Sequence, residues 1–298
     1  NYRSGYEFFP LMTAAAQDRT AFGRELETTV DPMWLLRQLP NNVVCHVGIR
    51  HTFRGTNACI TNHAVGGTLA ISEAASAIEA GEADRAIAIG HDAPLEPETL
   101  LHFERLGLLT RDVLRPFDRH RTGTQYGEGA AAVLLERAGD ATARGATILG
   151  EWLGFGFVTE GTGILDVRPD GDGMARAILS ALNRAGLRPE DVGMVVAHGS
   201  GTPASDASEA LALQRVFGSN VPPVTAFKWA LGHSMVASGA LDLVVLLQAL
   251  KHRVVPGIAT LRELDPVAST LPISAAPQTP RSDVALLCSR GFGGMNLA

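Results

Sequence analysis

Three side chains in this sequence are spaced as a nucleophile and its two supporting bases would be. Cys59 (NACITN) follows an apolar approach, VVCHVGIRHTF over 43–53, and precedes a run of small residues, AVGGTLAISEAASAIEAG over 64–81, that reads as a helix. That order predicts a strand-to-helix turn with the thiol at its tip, where the helix dipole and free N–H groups favour a thiolate. His198 (VVAHGSGTP) and His233 (LGHSMVASG) each stand where an apolar run gives way to glycine and small polar residues. A thiol and imidazoles gathered from distant loops suit covalent acyl transfer. A lone cysteine on an apolar stretch is more often a buried packing residue, so the weight falls on the three together.

Composition narrows what such a site could belong to. With 298 residues, 46% apolar and 19% charged, the chain can bury a large core as one large or two ordinary domains. It has no uninterrupted run of about 18 apolar residues and no signal-like opening, so no membrane association and a cytoplasmic location are expected. A net charge of −6 without a basic cluster argues against nucleic acid as a partner. Cys45, Cys59 and Cys288 lie far apart, are odd in number and show no CxxC spacing, so neither a disulfide framework nor a zinc ribbon is indicated. Cys59 and His63 have no second pair to complete a metal site. Only two lysines occur, Lys228 and Lys251, and Lys228 lies inside an apolar stretch, VTAFKWALGH. It is either a surface lysine between two elements or a buried one that needs a partner. The opening at Asn1 and the ending GGMNLA, which reads as a strand barely begun, suggest a shortened chain.

These residues need elements to hold them. Strands are predicted at 84–93, 129–137, 146–157, 191–199, 222–227 and 283–291, and helices at 64–80, 172–185, 206–217 and 236–251. Residues 1–42, with an aromatic opening and an amphipathic stretch near 11–27, are harder to assign. The alternation implies an α/β layered fold whose sheet is covered on both faces. CITNHAVGGTLAISEAASAI and GHSMVASGALDLVVLLQAL each place a reactive residue before a small-residue helix start, as a duplicated unit would; Ala/Gly-rich core helices in general look alike, and that alternative stays open.

Five ordered motifs, NACITN, LRPFDRHRTGTQYGEGAAAVLLE (114–136), AHGSGTPASDASEA (197–210), KWALGHSMVASGA (228–240) and SRGFGGMN (289–296), resemble the β-ketoacyl-acyl carrier protein synthases. The resemblance runs from about residue 40 onward. It implies a thiolase-like α/β fold with duplicated halves, residues 1–140 carrying the nucleophile and 141–298 both histidines, with the N-terminal part incomplete. Cys59 then matches the acyl-accepting nucleophile, and His198 and His233 the pair that assists malonyl decarboxylation. Lys228 matches the family's buried lysine and Glu209 its expected ionic partner. Ser200 and Thr202 match hydroxyls that contact the phosphopantetheine arm. Gly291, Gly293 and Gly294 would let the backbone bend beside a thioester, Phe292 N–H with Cys59 N–H would form an oxyanion hole, and the Phe292 ring would gate access. The implied cycle is a ping-pong Claisen condensation with acyl carrier protein as partner and no metal or redox cofactor. Homodimers and heterodimers with a related subunit are both open.

The chain departs from the family's pattern at several points. Arg290 stands where an aromatic residue is usual, Met295 replaces the usual threonine, Ile60, Thr61 and Asn62 replace small residues after the nucleophile, and Thr124 stands where phenylalanine is often found. Two other readings therefore remain: a non-catalytic, chain-length-factor-like partner subunit, and an acyltransferase or hydrolase that uses Cys59 without condensation.

Overall fold

Successive residues of the stretch 194–197 enter different cores: Val195 and Ala197 pack into one, Met194 and Val196 into another. A strand with both faces apolar must be covered twice, and the layers of this protein follow from that requirement. The computed structural model describes residues 11, 18–34, 36 and 39–298. The aromatic opening predicted from NYRSGYEFF lies outside the described residues.

Helices α1 (Arg19–Thr29) and α2 (Asn42–His51) come first, then α3 (Gly66–Glu79), which is entered through a 3-10 turn at His63–Val65. Next come β1 (Arg85–Asp92), α4 (Pro97–Arg105), β2 (Gly129–Glu136), α5 (Ala138–Ala143) and β3 (Phe157–Thr159). The remainder is α6 (Asp172–Ala185), β4 (Met194–Val196), α7 (Pro203–Phe217), β5 (Val224–Thr225), α8 (Lys228–Leu231), α9 (Ser238–His252), β6 (Ala285–Leu287), β7 (Ser289–Gly291) and β8 (Met295–Leu297). One sheet is parallel, ordered β5-β4-β6, with Val195 opposite both Val224 and Leu286. A second is the antiparallel pair β1-β2, and a third is the antiparallel set β3-β8-β7.

The parallel sheet is covered on one face by α6 and α7, through Met174, Ile178, Leu213 and Phe217. Helix α6 suits that place because Met174, Ile178, Ala181 and Leu182 recur at helical spacing, and Gly186 at φ 66° closes it in the left-handed conformation. The other face meets Ile71 of α3 and Ala240, Leu243 and Leu246 of α9, and these also reach Ala88 of β1. Thus α3 and α9 form a helical layer between two sheets, and residues from both halves share that core. The stretch Met235–His252 is long and apolar enough to cross a bilayer, although no uninterrupted apolar run marks it; half of it is buried inside the protein, where α9 serves as a core helix.

The suggested duplication has a local counterpart. His63 opens the 3-10 turn into α3 and Met235 opens the one into α9, and both have φ 45°, rare for residues with a side chain. A Cβ on Gly67 of α3 would strike the Val236 carbonyl, and one on Gly239 of α9 would strike the Thr68 hydroxyl. Each helix start therefore fits against the other only through a bare glycine.

Two expectations fail. The approach over 43–53 is helix α2, because Asn42, His46 and Arg50 put polar residues at i, i+4 and i+8, a helical period. The strand expected over 146–157 is reduced to β3. Gly154 and Gly156 lie against α6, where a Cβ at either would meet backbone atoms of residues 177–185, so this stretch packs on a helix instead of joining a ladder.

Candidate active site

The carboxyl ends of the three parallel strands converge, which is where open α/β sheets build sites. After β4 comes His198, after β5 comes Lys228 at the start of α8, and after β6 come Cys288 and β7. His233 arrives from the turn between α8 and α9, anchored by its N–H to the Gln125 carbonyl (2.7 Å).

The two imidazoles lie edge to face with centroids 5.3 Å apart, and both are buried. The Arg290 N–H donates to His198 Nδ1 at 3.3 Å, and the Met235 N–H donates to His233 Nδ1 at 3.1 Å. A backbone amide can only donate, so each Nδ1 is an acceptor and the proton of each neutral ring sits on Nε2. Burial, reinforced by the nearby Lys228 charge, lowers His233 to about 3 and drives His198 well below the ordinary imidazole value. Both rings are therefore neutral Nε2–H donors at physiological pH.

Lys228 is buried and donates from Nζ to Asp242 Oδ2 at 2.9 Å, with side-chain exposures of 1% and 2%. This corrects the expected Lys228–Glu209 pair. Asp242 projects from the buried face of α9, whereas the Glu209 oxygens accept the N–H groups of His198 (2.7 Å) and Gly199 (3.0 Å). Glu209 feels Lys228 only as a charge at longer range, after the larger influence of Arg290, and burial raises its pKa. Glu209 is thus a brace for the His198 loop. Asp206, one turn earlier on α7, accepts from Gly201 N–H (3.1 Å) and Phe117 N–H (2.8 Å), and burial raises it to about 7.

Ser200 and Thr202 share a hydroxyl–hydroxyl hydrogen bond of 2.9 Å beside this loop. Of the three predicted glycines, Gly293 (φ 79°) and Gly294 (φ 70°) form the turn between β7 and β8; Gly291 instead lies in β7 without positive φ. Phe292 at the turn stacks on Phe103 (5.6 Å, 13°) and meets His63 edge-on (5.5 Å), while Phe103 and Tyr126 continue the aromatic contacts to His233.

Cys59 is exposed and makes no hydrogen bond with either histidine among the described residues. It does not occupy a strand-to-helix turn: α2 precedes it, and α3 begins seven residues later, beyond the first turn over which a helix dipole acts. Its segment nonetheless borders the Phe292 turn, through the His63–Phe292 contact and Asn62, whose carbonyl faces Gly291 and whose Nδ2 lies 3.6 Å from Met295 Sδ. Among the described residues, no cluster of three or more His, Cys, Asp or Glu could hold a metal ion.

Asp242 and Asp206, and Asn296 with Glu160 at the β7–β8 turn, are functional neighbours that no motif in the sequence points to. A signal for Asp242 exists, since it is the one carboxylate in the apolar run GALDLVVLLQAL. Asp206 and Asn296 are ordinary polar residues until the chain folds around them.

The N-terminal domain of β-ketoacyl synthases matches residues 12–141, and the C-terminal domain matches 149–262. A 3-oxoacyl-acyl-carrier-protein synthase 2 from Mycobacterium bovis is 34% identical over 277 residues, covering 90% of this chain and 66% of that protein, so the chain spans just under two thirds of that relative's length. Among solved structures, the ishigamide ketosynthase/chain length factor superposes with a TM-score of 0.86 at 31% identity, over 96% of this chain and 70% of that one. A type II polyketide synthase acyl-carrier protein in complex with its ketosynthase bound to the hexaketide gives 0.86 at 27% identity, over 91% and 68%.

Proposed function

The chain belongs to the β-ketoacyl synthase family, and from that premise we propose that it is a condensing enzyme carrying out decarboxylative Claisen condensation in fatty-acid or type II polyketide synthesis. The observation that carries the proposal is the pair of buried neutral imidazoles, His198 and His233, each with its proton on Nε2. Two such donors in a dry site stabilise an enolate oxygen, by about 3 to 4 kcal/mol each on the scale of other oxyanion donors.

In this cycle Cys59 Sγ attacks the thioester carbonyl of an acyl carrier protein, the carbon–sulfur bond to the carrier breaks, and the carrier thiol leaves with the proton. A malonyl-carrier then binds with its thioester oxygen toward the two Nε2–H groups. Its carboxylate leaves as carbon dioxide, and the electrons of the broken carbon–carbon bond form the enolate. The enolate carbon attacks the Cys59 thioester, a new carbon–carbon bond forms, and the Cys59 thiolate departs. No step asks for a metal or redox cofactor. Ser200 and Thr202 would meet the phosphopantetheine arm, Phe292 N–H with Cys59 N–H would hold the acyl oxyanion, and the Phe292 ring would control access. Assembly is proposed as a dimer, with itself or with a related subunit as the ketosynthase/chain length factor pairing suggests, in the cytoplasm.

The test is product formation from acyl-carrier and malonyl-carrier by the full-length protein, with carbon dioxide release followed alongside. A 3-oxoacyl-carrier product that disappears in Cys59→Ala supports the proposal. Acyl transfer or thioester hydrolysis without carbon–carbon bond formation would instead favour the non-condensing reading.

A further inference from the structure

Arg290 is a buried charge that the condensation cycle does not use, and it stands where the resemblance leads one to expect an aromatic ring. Its side chain is 5% exposed. Nε donates to Asn296 Oδ1 at 2.8 Å, and Nη1 donates to the Ser205 carbonyl at 3.1 Å. Nη2 is buried without a hydrogen-bond partner, 3.9 Å from Glu160 Oε1, and that carboxylate is itself buried and takes the Asn296 amide (2.9 Å). The guanidinium therefore joins three elements: β7, on which it sits, the first turn of α7, and β8. An aromatic side chain could fill the space and reach none of these acceptors.

The backbone of the same residue supplies the N–H that meets His198 Nδ1. On the opposite side, Glu209 takes the His198 N–H, and Arg290 is the strongest of the opposite charges acting on Glu209. His198 is thus held between the Arg290 N–H on its ring and the Glu209 carboxylate on its own backbone N–H. The charged and titratable groups around the ring are Lys228 from α8, His233 from the turn before α9, Glu209 from α7 and Arg290 from β7.

We propose that Arg290 is a positioning residue for His198: its guanidinium pins β7 to α7 and β8, and so keeps the Arg290 N–H on Nδ1 and the Nε2–H turned toward the substrate oxygen. This rests on the reading of the site as a condensing centre. A displaced donor weakens the enolate step far more than substrate binding, because its strongest contact exists only as charge develops.

The test is Arg290→Lys in the full-length protein. Lysine keeps the buried charge but cannot reach Asn296 and the Ser205 carbonyl with a planar fork. The expected result is a fall in condensation kcat of about tenfold or more, with KM for malonyl-carrier within about twofold and Cys59 acylation, followed by intact mass, reduced far less. Wild-type condensation kcat in the variant would overturn the inference. So would an equal loss of acylation and condensation together with a lower melting temperature, which marks a merely structural role. Should Arg290→Lys not fold, Asn296→Ser removes the Nε acceptor while leaving the charge in place and carries the same expectations. A wild-type protein that acylates Cys59 but never condenses would overturn the underlying reading, and this inference with it.

Discussion

The rings of His198 and His233 meet edge to face at 5.3 Å, and each turns its Nδ1 to a backbone N–H. Two donors fixed by main chain cannot exchange roles or tautomers cheaply, so both point the same chemical group at whatever lies between them. His198→Ala and His233→Ala should each lower condensation about 10²- to 10³-fold, the cost of one oxyanion donor. Cys59 acylation should survive much better in both. With His233 lowered to about 3 and His198 also depressed, the rate should show no imidazole step on the acid side between about pH 5 and 7. A pH–rate profile with an acid limb near the ordinary imidazole value that vanishes in His233→Ala would contradict this assignment.

The pairing of Lys228 with Asp242 carries a stability prediction. Both side chains are out of solvent, so Lys228→Met leaves a buried carboxylate without its partner and should destabilise the fold by about 3 to 5 kcal/mol. Lys228→Met combined with Asp242→Leu should recover most of that loss, since an apolar pair of similar volume requires no desolvation of charge. Chemical denaturation of the two single variants and the double variant completes the cycle. An additive double variant would mean the two residues are not coupled.

Glycines separate packing from propensity. Gly67→Ala pushes a methyl into the Val236 carbonyl where α3 meets α9, and should cost about 1 to 3 kcal/mol. Gly23→Ala lies mid-helix in α1 with nothing within 4 Å, and should instead stabilise by roughly 0.5 to 1 kcal/mol. Melting temperatures that move in opposite directions check the pair.

Asp206 makes stability depend on pH. Burial raises its folded-state pKa to about 7, so the protonated form belongs to the folded protein. Its stabilising contribution is whole below the unfolded carboxylate value and is lost as pH rises through about 7. Asp206→Asn loses an acceptor for Gly201 or Phe117 and should be less stable by about 1 to 3 kcal/mol near pH 4, where wild-type Asp206 is protonated in the folded state. Its stability should nevertheless fall less than that of wild type between about pH 4 and 7. Parallel stability curves for the two proteins over that range would show that Asp206 does not titrate there.

Much of this was legible in the sequence because local signals and tertiary demands agree. The helix over 172–185 appears at those residues, since its apolar period and flanking glycines define it without help from the rest of the chain. His198 lies at a strand end of the parallel sheet, and His233 meets it from the turn between α8 and α9. The setting of Cys59 is not legible in VVCHVGIRH: its apolar character suggests a strand, while its polar residues recur at a helical period, and α2 forms there. The resemblance implies Glu209 as the partner of Lys228, yet backbone amides of the His198 loop claim it. Which carboxylate faces a lysine depends on how α7 and α9 are turned, and no spacing in one sequence states that.

The most direct test of the account is intact-mass analysis of the full-length protein after incubation with an acyl-loaded carrier protein, beside Cys59→Ala. The account predicts a gain equal to one acyl group on wild type and none on Cys59→Ala, with the adduct discharged as a 3-oxoacyl-carrier when malonyl-carrier is added. A folded wild-type protein that gains no mass, or a Cys59→Ala variant that gains it equally, would contradict Cys59 as the nucleophile and the condensing cycle built on it.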